Sequence, residues 1–449
     1  MDKPNNVLYG NFDEDYITIT SGDGVYVFDE NNKKYLDAAG GVCVVNIGHG
    51  VKEIQEVVST QVQKLAYTYG GTTDNIPRQK LAKKLDEWAP LGMKNTKTIF
   101  SSSGGEANEA ALKLTYQYHN ERGNYTKRKV IGRWQSYHGN TVATLSMSGR
   151  TTWRRNNSSL LLDFPHISPP YCYRCPWDKT YPSCKVSCAN ELERTIKQEG
   201  AENIAAFIAE PVIGTSMSGV VPPKEYYQII RAICDENDIL FISDEVMCGL
   251  GRTGKNWGID HWNVSPDIIT ISKGLGGGYS PIGATILAEN VWGAISEGSR
   301  NVSHSSTYGG NPLSCAVGMA VINYIEKHNL VNNAKIMGDR LLSRLREELY
   351  EVPYVGDVRG KGLLVGVEIV ADKESKIPFD SNMNIGHLIE AEARNNGLLV
   401  LAGVTGLVDG VDGDHVEIVP PYIIDEENIE FIVSALRKSI IDVLNKVRT

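Results

Sequence analysis

No uninterrupted apolar stretch in this 449-residue chain approaches the roughly 18 residues that a bilayer-spanning helix needs. Positive charge is also scarce, with 45 Lys plus Arg against 54 Asp plus Glu. The formal net charge of -9 argues against a general polyanion binder, though it leaves room for a local basic pocket. Neither nucleic acid nor a membrane is expected as a partner. The opening Met1-Asp2-Lys3-Pro4-Asn5-Asn6 lacks the apolar core of a secretory signal, so a soluble, cytoplasmic protein is expected. The nucleotide signature Gly-x4-Gly-Lys-Ser/Thr is missing as well.

Of the eight cysteines, four cluster as Cys172-x2-Cys175 and Cys184-x3-Cys188, a spacing that a structural zinc site can use. Zinc ribbons place their pairs farther apart and carry glycine knuckles, and Tyr171-Cys172-Tyr173-Arg174-Cys175-Pro176-Trp177 has none. The reading taken is four thiols in a loop insertion, with no metal. Cys43, Cys234, Cys248 and Cys315 lie in apolar or glycine-rich surroundings and read as buried free thiols.

With 41% hydrophobic residues, a chain of this length buries a large core and forms more than one domain. From Asp15 to Leu36 apolar and polar residues alternate around Ser21-Gly22-Asp23-Gly24, which predicts a short antiparallel meander. From about Pro77 helix and strand signals take turns: Leu81, Leu85 and Trp88 on a helix, Thr98-Ile99-Phe100 on a strand, Ala107 to Tyr118 on a helix. Short apolar runs at Ile204 to Ala209, Ile239 to Ser243 and Ile268 to Ser272 continue the pattern, which points to an α/β fold with a mostly parallel central sheet. After about Glu326 comes a charged helix, then Gly362 to Val370, then a final helix with Ile429, Ile432, Leu436, Ile440 and Val443 at helical spacing. The expected organisation is a large domain over 61–325 and a smaller α+β domain assembled from 1–60 and 326–449.

Two of the apolar runs end in chemistry. Ile239-Leu240-Phe241-Ile242-Ser243 leads into Asp244-Glu245-Val246, and Ile268-Ile269-Thr270-Ile271-Ser272 leads into Lys273, flanked by Gly274-Leu275-Gly276-Gly277-Gly278. Ligands of open α/β sheets sit beyond the carboxyl ends of the strands, so an acid and an amine are delivered to one rim. A lysine there can form a Schiff base with a carbonyl compound, and an aspartate can pair with the protonated ring nitrogen of pyridoxal phosphate (PLP). Upstream, Ser101-Ser102-Ser103-Gly104-Gly105-Glu106 opens a helix whose free N–H groups suit a phosphate, although an ordinary N-cap has the same appearance. Tyr137 has the ring to cover one face of a planar cofactor. Val246, two residues past Asp244, faces the same side if the strand persists.

The joint order of Ser103-Gly104-Gly105-Glu106-Ala107-Asn108-Glu109, Tyr137-His138-Gly139, Ala209-Glu210-Pro211, Asp244-Glu245-Val246, Gly249-Leu250-Gly251-Arg252-Thr253-Gly254, Ser272-Lys273-Gly274 and Thr307-Tyr308-Gly309-Gly310-Asn311-Pro312 resembles the class III (ω-type) aminotransferases of PLP fold type I. The resemblance runs from about Gly24 to the final helix. It implies a PLP-dependent transaminase that moves an amino group from an amine or an ω- or β-amino acid to a 2-oxo acid by ping-pong kinetics. It also implies a homodimer with shared active sites. Lys273 would be the Schiff-base lysine and proton shuttle, and Asp244 the partner of the pyridinium. Tyr137 and Val246 would enclose the ring. Ser103, Gly104 and Gly105 would bind the phosphate together with Thr307 of the other subunit, and Glu210 completes the expected cofactor site. An aminomutase or racemase of the same fold is the alternative, separable because it needs no oxo-acid acceptor.

The chain departs from the family at several places. Gly105 stands where a Ser or Thr is common. Thr215 and Glu417 replace the glutamate and arginine that gate the pocket of ornithine- and GABA-type members, and Cys43 stands where several ω-aminotransferases have a tryptophan. If Glu417 faces the pocket, donors with a distal amine such as diamines are favoured; a solvated Glu417 is the competing expectation. Arg150, Arg154 and Arg252 are the candidates for the acceptor's carboxylate.

Overall fold

Ile204-Ala205-Ala206-Phe207-Ile208-Ala209 is apolar at every position, so as a strand it must be covered on both faces. The computed structural model describes residues 6–447 apart from 13, 15 and 404, and it shows this segment as an interior strand of a seven-stranded sheet. The strands are β1 (Lys97–Ser101), β2 (Lys129–Arg133), β3 (His166–Ile167), β4 (Ile204–Ala209), β5 (Leu240–Asp244), β6 (Ile268–Ile271) and β7 (Gly283–Leu287). Their spatial order is β1-β7-β6-β5-β4-β2-β3. The pairs β3-β2, β2-β4, β4-β5 and β5-β6 are parallel, and β7 runs antiparallel to both its neighbours. The mostly parallel sheet read from the sequence is therefore present.

Side chains divide between the two faces as the period of two requires. Ala206, Ile208, Ile242 and Ile268 pack with Ala111 and Leu114 of the helix Gly104–Glu121 on one side. Phe207, Phe241, Ile269 and Ile271 join the main core on the other, with Tyr227 stacked on Phe241. Both layers are dry, so the polar ends of β5 and β6 are forced to the rim.

Two four-stranded sheets flank this body. One joins Ile19–Asp23, Tyr26–Asp29 and Lys34–Asp37 as the expected antiparallel meander, whose sequence pattern began at Asp15, outside the described residues. Leu398–Leu399 adds a parallel strand to its edge, which the sequence reading missed. The other contains Val355–Lys361, Leu364–Ile369, Asp414–Ile418 and Leu401–Ala402. Here the run Gly362 to Val370 proves to be one arm of a hairpin. The final helix Glu426–Val447 buries Ile429, Ile432, Leu436, Ile440 and Val443, the stripe read from its spacing.

Among the described residues no helix is long and apolar enough to cross a membrane. Met1 to Asn5, expected to lack a signal's apolar core, lie outside those residues. Cys172, Cys175, Cys184 and Cys188 line one small cavity together with Trp177 and Tyr181, and all eight cysteines are free. Among the described residues no three His, Cys, Asp or Glu side chains are arranged to hold a metal ion. The cysteine loop is anchored by Arg174, whose Nε donates to Glu368 Oε1 at 2.8 Å.

Candidate active site

Asp244 is the last residue of β5 and is 3% exposed. A buried carboxylate requires donors, and three nitrogens supply them. Asn108 Nδ2 and His138 Nδ1 lie 2.9 and 2.7 Å from Oδ2, and the Val246 backbone N–H donates to Oδ1 at 3.1 Å. Asn108 is itself fixed, donating to His138 O at 2.7 Å and accepting from Thr270 Oγ1 of β6 at 2.8 Å. This frame spans the helix Gly104–Glu121, the loop after β2 and the strands β5 and β6. Sequence reasoning did not assign Asn108, His138 and Thr270 a role; their only signal was proximity to quoted motifs.

Lys273 is half-buried and lies two residues past the end of β6, in a left-handed conformation with φ +35°. Asn46 pins the next residue, its Nδ2 donating to Gly274 O at 2.9 Å. A Cβ on Gly274 would come within 2.8 Å of the same nitrogen, so glycine is what permits this close approach. Ser272 Oγ donates to Ile282 O at 2.7 Å, closing the turn from the other side.

The strand does not persist to Val246 as its assumed orientation required: β5 ends at Asp244 and a turn begins two residues later. Asp244 Oδ1 captures the Val246 N–H, and this side-chain bond replaces the ladder. The turn nonetheless brings Val246 against the helix start, where a Cβ on Gly104 would meet Val246 Cγ1 at 3.0 Å and Ser272 Cβ at 3.5 Å. The Ser-Gly-Gly loop, Val246 and the residue preceding Lys273 therefore converge. Ser103 caps the helix, accepting from Glu106 N at 3.2 Å, while Glu106 Oε2 accepts from Ser102 N at 2.7 Å. The Ser103 hydroxyl keeps its proton to donate, so capping and anion binding are compatible here. Gly105 has no side-chain or backbone neighbour closer than 4.0 Å to where a Cβ would stand.

Glu210, 5% exposed, shares its carboxylate between Arg133 Nη2 at 3.2 Å and the Tyr137 backbone N–H at 3.1 Å, so it fixes the tyrosine's position. The Tyr137 ring meets Trp153 edge-on at 5.7 Å, and the Arg150 guanidinium lies 3.9 Å from the Trp153 ring centre and 5.5 Å from that of Tyr137. Burial pushes the Tyr137 hydroxyl above its usual range. Thr307 is exposed, with its carbonyl accepting from Tyr67 OH at 2.9 Å.

Glu417 overturns one expectation. It is fully buried on the strand Asp414–Ile418, not solvated, because its side chain points inward from a strand buried at every position. Oε2 accepts from Thr215 Oγ1 at 2.9 Å, so the two residues that depart from the gating pair touch each other. Burial is the main cause that raises its carboxyl to about 7, with Thr215, Lys273 and Arg252 pulling the other way. Arg154 donates to the carbonyls of Leu145, Ser146 and Ser148, and Arg252 to those of Leu363 and Pro420. A cavity of about 1150 Å³ between Trp134, Tyr171, Cys172 and Leu407 includes neither Lys273 nor Asp244.

These residues suit PLP on structural grounds. Asp244 Oδ1 has a single donor, leaving a lone pair for a ring N–H, and the backbone at Gly105 is bare where a phosphate would approach.

Comparison with known proteins agrees. The chain is 34% identical to the putrescine–pyruvate aminotransferase of Pseudomonas aeruginosa, an alignment covering 94% of this chain and 89% of that one. It is also 34% identical to the diaminobutyrate–2-oxoglutarate transaminase of Halomonas elongata, covering 94% and 89%. The solved ω-transaminase of Pseudomonas jessenii in complex with PMP superposes with a TM-score of 0.90 at 33% identity, covering 96% of this chain and 94% of that one. The family model "Aminotransferase class-III" matches residues 9–440, and the chain belongs to that PLP-dependent family of aminotransferases.

Proposed function

We propose that Lys273 and Asp244 are the catalytic pair of this aminotransferase, with Tyr137, Val246, Glu210, Ser103, Gly104 and Gly105 forming the cofactor site. The carrying observation is the buried Asp244 carboxylate, held by three nitrogens at the end of β5 beside the strand that leads to Lys273. When bound, PLP supplies an electron sink for the carbanion left as a substrate Cα–H bond breaks. Asp244 would pair with a protonated ring nitrogen, and its three donors hold its orientation. Lys273 would hold the cofactor through its Nζ, and as a free amine it would take the proton from the substrate carbon as general base and give it back as general acid. Tyr137 and Val246 would enclose the ring, and Glu210 acts through the Tyr137 backbone as a positioning residue.

Arg150 is the residue we assign to the acceptor's carboxylate. Arg154 spends Nη1 on three backbone carbonyls, and Arg252 spends Nη1 on two while its buried Nε and Nη2 stay open; the Arg150 guanidinium makes no hydrogen bond among the described residues, and it alone of the three lies over the Tyr137 ring. We also place the enzyme in the cytoplasm as a homodimer. Eight free thiols fit a reducing compartment, and the exposed Thr307 fits a residue that serves a second subunit.

The test is borohydride reduction of the holoenzyme followed by peptide mapping. Label at Lys273 is expected, and label elsewhere or nowhere overturns the assignment. Lys273→Ala should abolish turnover with an unchanged unfolding midpoint; normal turnover in that variant refutes the proposed role.

A further inference from the structure

We infer that Glu417 is the receptor for a second, distal ammonium group of the amino donor, so that diamine-type substrates are selected over monoamines. The inference rests on the transaminase reading above and extends it to the substrate. Glu417 Oε1 is fully buried and has no hydrogen-bond partner, while Oε2 is satisfied by Thr215. A buried acceptor left open in this way carries a desolvation cost that a ligand's N–H donor relieves. The carboxylate stands within electrostatic reach of Lys273, the amine at which the donor reacts, and of Arg252. Arg252 makes no ion pair with Glu417 among the described residues: its Nη1 is held by the carbonyls of Leu363 and Pro420, and its buried Nε and Nη2 have no partner.

The side chains recorded on the Thr215 side of the carboxylate carry no charge. Thr215 Oγ1, which holds Oε2, lies 3.6 Å from Met247 Sδ, and Cys43 Sγ lies 3.7 Å from Met247 O, so a thioether and a thiol are grouped near the threonine hydroxyl. Glu417 thus offers one acidic group with an open acceptor atom, bordered by uncharged side chains on the Thr215 side. It matches a donor with an apolar spacer between two amines, one reacting at Lys273 and the other meeting Oε1. The same spot repels the distal carboxylate of a dicarboxylic acceptor, so monocarboxylic 2-oxo acids should be preferred in the second half-reaction. Because burial holds the carboxyl at about 7, ionisation and hence diamine selection should strengthen as pH rises through that value.

The experiment uses the holoenzyme and compares kcat/KM for putrescine with that for n-butylamine, a monoamine of matching length, at fixed acceptor. A ratio of about tenfold or more is expected in the parent enzyme, rising with pH through about 7. In Glu417→Gln the ratio should fall towards unity, and Glu417→Asp should restore part of it. If the variants do not fold, the parent enzyme's ratio and its pH profile still decide. Equal values for the two amines, a flat profile, or an unchanged ratio in Glu417→Gln overturns the ammonium subsite and leaves transamination standing. Failure of either amine to convert the coenzyme, with no hydride label at Lys273, overturns both.

Discussion

An ionised carboxylate at position 417 weakens the free fold. The sign follows from linkage: the folded-state value, about 7, lies above the ordinary 4.5, so the native protein binds this proton more tightly than the unfolded chain. Stability from this group is fully present below about 4.5, declines as pH rises, and is lost above about 7. Two and a half units correspond to about 3 kcal/mol. Glu417→Gln should therefore leave the unfolding free energy nearly unchanged at pH 4 and raise it by about 1–3 kcal/mol at pH 8. Denaturant titrations of parent and variant at the two pH values check this. Asp244 is held by three nitrogens, with a lone pair of Oδ1 left open. In Asp244→Asn the amide cannot accept from all three nitrogens or hold a ring cation. A rate loss of at least about a hundredfold is expected with the fold retained, read from single-turnover kinetics and circular dichroism.

At the scale of elements, the site is a junction of turns that follow strands. Lys273 was legible because an apolar β-branched run points its terminus at a ligand rim, and Asp244 was legible for the same reason. The orientation of Val246 was not, because a local side-chain bond from Asp244 ends the strand, and periodicity carries no information about such capture. Glu417 was legible as a departure but not as a buried group, since a lone acid in an apolar strand reads equally as solvated until the strand's neighbours are known. Asn46 was invisible as a functional residue because its partner, Gly274, lies 228 positions away. That contact carries a prediction. Gly274→Ala places a methyl 2.8 Å from Asn46 Nδ2, which must move and release the Lys273 turn. A drop in kcat of about tenfold or more, with milder change in KM, is expected from steady-state kinetics. A G274A enzyme with unchanged kcat would show that the turn needs no such pin.

On the scale of the whole molecule, the aromatic residues around Thr307 stand out. Tyr308 and Tyr69 are 65% and 62% exposed, and Tyr67 meets Tyr308 edge-on at 6.2 Å. Under the homodimer reading these rings are buried by the second subunit. Tyr308→Asp should shift sedimentation towards the monomer and weaken coenzyme retention on dialysis. An unaltered sedimentation profile would place the subunit contact elsewhere.

The parallel pairing of Leu36 with Leu398 also bears on how the chain matures during synthesis. Lys33 Nζ donates to Asn395 O across 362 positions. Translation releases the amino-terminal meander long before the strand that completes its sheet exists, so an open edge waits while most of the polypeptide is made. Losing the segment after Asn395 would leave that edge permanently bare, and aggregation of the nascent product is the natural outcome.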